Sequence, residues 1–155
     1  MSLIIKQRFF SLTDAYDICD HTGRPRYSVW TEFLTLGHHI HVVDTETGGE
    51  VGQIKERIFT FFQRADIYAN GVPFEVKREF TFFRPRYTLS NGWKIKGDFM
   101  GWDYEITDSF GQTVATVSKE LLHFTDTYLL DVASPEFELS ALLAAITIDM
   151  MNCSN

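Results

Sequence analysis

Cysteine is scarce in this chain. Its 155 residues include only Cys19 and Cys153, which fit neither a CxxC metal motif nor a disulfide framework. Such a composition is typical of proteins in a reducing compartment, so we expect a cytoplasmic location, with the membrane surface as an alternative. A domain of this length buries about 70% of the surface that its unfolded chain exposes, and therefore needs no disulfide or metal to fold. We predict a single domain over residues 1–155.

Long hydrophobic runs are also missing. No uninterrupted apolar run reaches the roughly 18–20 residues that a membrane-spanning helix requires. The best candidate, residues 139–148, is interrupted by Ser140 and Thr147 and is flanked by Glu138 and Asp149. The opening MSLIIKQRFF has too short an apolar stretch for a signal peptide. These patterns predict a soluble protein that is not transmembrane.

Recognisable catalytic motifs are absent as well. The sequence has no GxSxG, P-loop, GxGxxG or HExxH. Its net charge of −7 argues against nucleic acid as a partner, because binding to phosphate backbones needs a positive surface. We predict a non-enzymatic binding or scaffold domain without a cofactor. An enzyme of unrecognised class, with its site in a surface cleft, is the alternative.

Strand-forming residues are what the chain has in abundance. Aromatic residues make up 15% of it, and strands favour aromatic and β-branched side chains. Charged residues that begin successive strand–turn–strand units recur 19 to 26 residues apart: Lys6, Glu32, Lys55, Lys77, Lys96 and Lys119. About 22 residues is the length of two short strands with their turns. Six such units predict twelve antiparallel strands.

The turn residues, and the need to cover the exposed edges of an open sheet, extend this prediction to a closed barrel. Asn-Gly dipeptides at 70–71 and 91–92 indicate tight hairpins, in which both central residues adopt positive φ. A long antiparallel meander removes its exposed edges by closing on itself. About eight strands already make a barrel that its own side chains can just fill, so a barrel of twelve needs something else in its lumen.

The end of the chain supplies the long helical pattern, EFELSALLAAITIDMMN at residues 136–152. This segment is apolar on almost all sides, and such a helix must be buried. A helix of about 16 residues spans about 24 Å, which is comparable to the depth of a barrel. The predicted fold class is therefore mainly β, a twelve-stranded antiparallel β-barrel enclosing a hydrophobic C-terminal α-helix.

Four motifs give the chain a resemblance to a known family. They are IKQRFFS (5–11), FTFFRPRY (80–87), GWKIKGDFMGWDYEI (92–106) and DVASPEFEL (131–139), the last followed by the apolar helix. In this order they resemble the LURP-one-related branch of the tubby C-terminal-like superfamily, including its small bacterial members. The resemblance implies the same helix-filled barrel of twelve strands. It also implies relatives that bind phosphoinositide head groups, relatives among phospholipid scramblases, and plant relatives linked to defence.

The strongest candidate for a binding site is a basic segment at residues 77–96. Six cations and one acid give it a net charge of +5, against −12 for the rest of the chain. Arginine and lysine suit phosphate, so an anionic lipid head group or another phosphate-bearing ligand is expected there. The candidate residues are Lys77, Arg78, Arg84, Arg86, Lys94 and Lys96. The alternative is that these are solvated charges, offset by acids on adjacent strands.

Two further possibilities remain beside an anionic ligand. The chain could bind a protein partner, or it could have a scramblase-like role in the membrane. The scramblase-like role would require the C-terminal helix to leave the barrel and expose a lumen rich in phenylalanine.

A histidine cluster is the second candidate. His39 and His41 are two residues apart, so a strand would present both on one face, where they could bind a metal ion. A structural zinc site needs four ligands, however, and no cysteine or third histidine has a suitable spacing. We therefore predict no metal centre, with His39 and His41 as the candidates if one exists. Solvated or hydrogen-bonded surface histidines are the simpler interpretation.

Overall fold

Strands dominate the part of the chain that the computed structural model describes, which is residues 2–6, 15–32, 36–81, 84–98, 103–120 and 127–153. Within these residues there are twelve strands, one 3-10 turn and one α-helix. The strands are β1 (Ser2–Lys6), β2 (Tyr16–Asp20), β3 (Pro25–Thr31), β4 (His39–Asp44), β5 (Glu50–Arg57), β6 (Gln63–Ala69), β7 (Val72–Thr81), β8 (Arg84–Leu89), β9 (Lys94–Asp98), β10 (Asp103–Thr107), β11 (Thr113–Glu120) and β12 (Thr127–Val132). The 3-10 turn is Pro135–Phe137, and α1 is Glu138–Cys153.

The sheet closes on itself through its first and last strands. Each strand pairs antiparallel with the next along the chain, and β1 also pairs with β12, with Leu3 opposite Leu130. Each described strand therefore has a hydrogen-bonded neighbour on both sides. Closure of this kind removes the two exposed edges of an open sheet. The predicted antiparallel barrel of twelve strands is confirmed over the described residues.

Buried and more exposed side chains alternate along the strands, so that one set faces the lumen and the other faces the solvent. In β6, Ala65, Ile67 and Ala69 are buried, and the residues between them are only partly covered. Phe74 and Val76 of β7 lie opposite two of these buried positions and are buried too. Inward side chains of this kind form the wall of one continuous core.

The two Asn-Gly turns differ from each other. Asn70 and Gly71 have φ of 48° and 78°, the pair of positive values that a two-residue hairpin between β6 and β7 requires. At the second turn only Gly92 is positive, at 92°. The connection between β8 and β9 is longer, and the Gly92 amide donates to the Leu89 carbonyl at 3.1 Å. The prediction of positive φ at both residues holds for the first turn and is wrong for Asn91.

Helix α1 fills the lumen. Every side chain from Ala141 to Ile148 is buried, and Thr147 satisfies its hydroxyl by donating to the Leu143 carbonyl at 2.7 Å. The helix begins two residues later than predicted, because Ser134 and Pro135 lead into the 3-10 turn first. Among the described residues, no helix combines the length and hydropathy that crossing a bilayer demands.

Polar contacts anchor the first turn of α1 to the wall. Glu138 is 5% exposed and accepts a hydrogen bond of 2.7 Å from the Tyr27 hydroxyl on β3. The Arg26 guanidinium lies 3.6 Å from the same carboxylate and 3.3 Å from Asp44. A buried carboxylate is tolerated when it is paired and hydrogen-bonded, so these contacts fix the level at which the helix enters the barrel.

Helix and wall approach each other closely at a glycine of β5. A Cβ placed on Gly52 would lie 2.8 Å from Leu143 Cδ2, which is too close for two carbon atoms. We expect Gly52→Ala to lower the free energy of unfolding by about 1–3 kcal/mol through overpacking. Urea denaturation would measure this, with Gly49→Ala as the control, since a Cβ there meets only Thr47 Oγ1 at 3.4 Å. Equal stability of the two variants would contradict such close packing.

Tyrosines facing α1 make stability sensitive to alkaline pH. Burial raises the pKa of Tyr104 above its ordinary value of 10.0 and that of Tyr87 to about 12, and the charge of Asp149 raises both. Folding favours the neutral phenols, so their contribution is complete below about pH 10 and is lost as the pH rises through about 12. Urea denaturation at about pH 8 and pH 11 should show this loss, and the loss should be smaller in Tyr104→Phe. A loss of the same size in that variant would assign it to other groups.

Candidate functional site

The basic segment is divided between the two faces of the barrel wall. Lys77 and Arg78 are consecutive in β7, so their side chains point in opposite directions. Arg78 is 4% exposed and faces the lumen, whereas Lys77 faces outward. The prediction that Arg78 belongs to a basic outer surface is therefore wrong. The alternation of buried Phe74 and Val76 with charged residues is the sequence signal that places it inside.

Inside the barrel, Arg78 holds the end of α1. Its Nη1 donates to the Met151 carbonyl at 3.1 Å and lies 3.4 Å from Gln63 Oε1. Its guanidinium also lies 5.0 Å from the centre of the Phe80 ring. The last carbonyls of a helix carry partial negative charge, so a cation there is stabilising. Arg78 is a structural residue that secures the helix.

Lys77 is on the outer face but is already neutralised. Its Nζ lies 2.7 Å from Glu79 Oε1 and 5.0 Å from the centre of the Phe62 ring. The hydrogen bond from Lys77 is the largest cause of the lowered pKa of Glu79, and the charge of Arg86 adds to it. A ligand would have to compete with Glu79 for this ammonium group.

Three cations of the segment are exposed to solvent. Arg86, Lys94 and Lys96 form no salt bridge with any described residue. Lys94 and Lys96 lie on one face of β9, on either side of Ile95, which packs against the core. Residues two apart in a strand lie about 7 Å apart, so the two ammonium groups are neighbours on this face. Arg84 lies opposite Thr81 in the register, and its side chain is outside the described set.

These cations lie along a seam in the barrel wall. Over the described residues, β8 and β9 are bridged at one position only, Thr88 opposite Lys94. Thr88 also lies opposite Lys77 on its other side, so a lysine flanks it across each neighbouring strand. Glu105 lies opposite Lys96 on β10, and its carboxylate accepts a hydrogen bond from Thr113 at 3.1 Å. The seam therefore carries a positive strip with acids at its margins.

A second cluster lies on the outer face of β4. The carboxylate Oε2 of Glu32 is 2.6 Å from His39 Nδ1 and 3.1 Å from His41 Nε2. All three ligand atoms lie within 4.8 Å of one another. Two imidazoles and one carboxylate are a ligand set that binds zinc in other proteins.

Neighbouring groups hold both imidazole rings in place. His39 Nε2 is 3.2 Å from Gln53 Oε1, and His41 Nδ1 is hydrogen-bonded to Glu50. Gln53 also donates from its amide nitrogen to Glu50 at 2.7 Å. On the other side, the Trp30 ring stacks on His41 with centroids 4.1 Å apart and planes 12° apart. His41 is 8% exposed as a result.

The sequence pattern indicates two members of this cluster, His39 and His41, and not the others. Histidine and cysteine at short spacings are the usual signal of a metal site, whereas Glu32 and Glu50 come from positions before and after β4. The missing signal was the hairpin register: the Glu32 amide donates to the His39 carbonyl at 2.8 Å, which brings the two residues together. His38 is not part of the cluster, because its Nδ1 lies 3.3 Å from Glu56.

Comparison with known proteins gives concordant results. A family model described as LURP-one-related matches residues 1–149. The uncharacterised protein YxjI of Bacillus subtilis (strain 168) is 30% identical over 154 residues, which cover 97% of this chain and 93% of YxjI. An X-ray structure of a protein from Arabidopsis thaliana superposes with a TM-score of 0.63 at 14% identity, covering 96% of this chain and 90% of that one. The last similarity concerns the fold alone.

Neighbouring substitutions test the two roles in β7. Arg78→Met should lower the free energy of unfolding by about 2–3 kcal/mol, because a buried charged hydrogen bond to the helix end is lost. Lys77→Met should cost at most about 1 kcal/mol, since an ion pair near the surface contributes little. Chemical denaturation of both variants measures the difference. If Lys77→Met proved the more damaging, the assignment of Arg78 to the helix would be refuted.

Proposed function

The chain belongs to the LURP-one-related family, and we propose that it is a non-enzymatic binding module for an anionic, phosphate-bearing ligand. The observation that carries this proposal is the group of three exposed cations at the β8–β9 seam, Arg86, Lys94 and Lys96, which form no salt bridge with any residue that the structure describes. We name this group the seam cations. They replace the six residues of the basic segment, since Arg78 is committed to the helix, Lys77 is paired with Glu79, and the side chain of Arg84 lies outside the described set.

The chemistry of the seam cations fits a phosphate group. A guanidinium offers two parallel donors to phosphate oxygens, and each ammonium offers a compact charge. Thr88 lies between Arg86 and the turn, directly opposite Lys94, so its outward hydroxyl adds a neutral donor beside the charges. An anion bound there would balance the positive charges at the centre of this surface. The acids of the surface, Glu79 and Glu105, lie at its edges.

The positive charge of the seam is opposite in sign to the net charge of the chain. The chain as a whole is at −7, so its long-range field repels anions. Binding would depend on short-range contacts at the seam, and salt should weaken it. A lipid head group at a membrane surface and a soluble phosphate compound share this chemistry, so the experiment must separate the two sources.

Co-sedimentation with vesicles tests the lipid source. We expect binding to phosphatidylcholine vesicles that contain about 30% phosphatidylglycerol, and none to vesicles of phosphatidylcholine alone. Each basic residue at an anionic surface contributes about 1 kcal/mol, so the triple variant Arg86→Ala, Lys94→Ala, Lys96→Ala should bind about 100-fold more weakly. The matched control is Arg24→Ala, Lys55→Ala, Lys119→Ala, which removes the same charge from exposed positions elsewhere.

Calorimetric titration with inorganic phosphate and glycerol phosphate tests the soluble source. Binding of these compounds without vesicle binding would identify a soluble ligand, and vesicle binding without them would identify a lipid surface. The proposal fails if neither probe binds, or if the seam variant and the control lose affinity to the same degree. The second result would mean that only overall charge matters.

A further inference from the structure

The histidine cluster carries an inference that is independent of the seam cations. We propose that Glu32, His39 and His41 bind a divalent transition-metal ion of the zinc class on the outer wall of the barrel. The three side chains come from the end of β3 and from β4, and none of them belongs to the proposed anion site. We name them the metal triad.

Interatomic distances in the metal triad are close to those that an ion requires. Ligand atoms that surround zinc tetrahedrally at about 2.1 Å lie roughly 3.4 Å from one another. Glu32 Oε2 lies 2.6 Å from His39 Nδ1 and 3.1 Å from His41 Nε2. Glu32 Oε2 reaches that separation from both nitrogens if the carboxylate withdraws by less than about 1 Å. The two imidazole nitrogens lie within 4.8 Å of each other. Glu32 is the most exposed member, with 41% of its side chain open to solvent, and has room to withdraw.

The hydrogen bonds around the triad determine which nitrogen of each ring carries its proton. Gln53 donates its amide N–H to Glu50, so its carbonyl oxygen is the atom that faces His39 Nε2, and this oxygen can only accept a hydrogen bond from the ring N–H. Glu50 is a carboxylate and can only accept from His41 Nδ1. A neutral imidazole has one ring N–H, and in both histidines that N–H is used outside the triad. The nitrogens that face Glu32 then carry lone pairs.

Three electron-pair donors therefore converge on one point. Two imidazole lone pairs and a carboxylate oxygen repel one another unless a cation lies between them. Either both rings take an additional proton, or a metal ion supplies the positive charge. Metal-binding histidines commonly have their second nitrogen bonded to a carboxylate or carbonyl oxygen, which is the arrangement that Glu50 and Gln53 provide.

The surroundings allow an ion at this position. Trp30 stacks on His41 and limits rotation of that ring, so little conformational entropy is lost when metal binds. Lys55 lies across the ladder from His39 and carries the opposing charge, and its ammonium group lies 5.9 Å from the centre of the Tyr68 ring. Glu32 and Glu50 together outweigh it. A site with three protein ligands leaves further coordination positions open to water or an exogenous ligand.

The choice of metal follows from the ligands. Imidazole suits zinc, copper, nickel and iron, whereas magnesium and calcium prefer oxygen alone. Two nitrogens and one carboxylate oxygen form the ligand set of zinc sites with an open position. Cobalt(II) binds the same sites and reports their geometry through visible absorption, which makes it the appropriate probe beside zinc.

Calorimetric titration of the untagged, chelator-treated full chain with zinc chloride tests the proposal. We expect one equivalent to bind, and binding to raise the melting temperature. Glu32→Gln and His39→Gln should each reduce affinity at least 100-fold. Glu50→Gln leaves the ligands in place and removes an orienting contact, so it should reduce affinity about 10- to 100-fold. His21→Gln, which alters an exposed histidine outside the cluster, should bind as the unmodified chain does.

Cobalt(II) absorption spectra separate the triad from other metal-binding groups. The expected spectrum has visible bands of a low-coordinate nitrogen and oxygen site and no sulfur-to-cobalt band. The proposal is overturned if the chain binds neither ion, or if binding survives in both Glu32→Gln and His39→Gln. A sulfur-to-cobalt band would also overturn it by assigning the metal to cysteine. None of these results depends on the seam cations, so the metal proposal and the proposal of vesicle binding are tested independently of each other.

Discussion

Contact between α1 and the inner wall is the interaction on which this structure depends. Twelve strands enclose more volume than their own inward side chains can occupy, and an unfilled lumen would forfeit dispersion contacts along every strand. The run of buried residues from Ala141 to Ile148 fills that volume. Small residues on one partner let the other approach, as Gly52 does for Leu143. The wall and the helix therefore define each other's shape, and neither has a complete core alone.

Apolar packing does not fix how far the helix is inserted, and the polar contacts at its two ends do. At the entry, Tyr27 and Arg26 hold the Glu138 carboxylate. At the far end, Arg78 takes up the Met151 carbonyl, and Tyr87 donates to Asn152. The acid lies where the helix dipole favours negative charge, and the arginine where it favours positive charge. Because these residues belong to β3, β7 and β8, the helix also ties distant parts of the barrel together.

Much of this fold follows from periodicity, and the candidate sites follow from it only in part. Strand number, closure and the buried helix depend on patterns repeated over many residues, so a local error does not change them. The direction in which an individual side chain points is harder to predict. Arg78 is an example, because a charged residue is assigned to the outer surface unless the alternation of buried and exposed residues around it is followed strictly. The metal triad depends on register between strands, which places Glu32 beside His39 across a connection that the sequence pattern does not specify. Asn91 shows a similar limit, since hairpin length decides which turn residues take positive φ.

Closure through β1 and β12 has a consequence for how the protein is made. The first strand of the chain finds its second partner only in residues 127–132, more than 100 positions later. The helix that fills the lumen comes later still. During synthesis from the N-terminus, the early hairpins form without a completed interior, and β1 has an unpaired side until the final strand emerges. The barrel is therefore assembled only after β12 and α1 have been synthesised, and until then its nascent strands need protection from pairing with the strands of other chains.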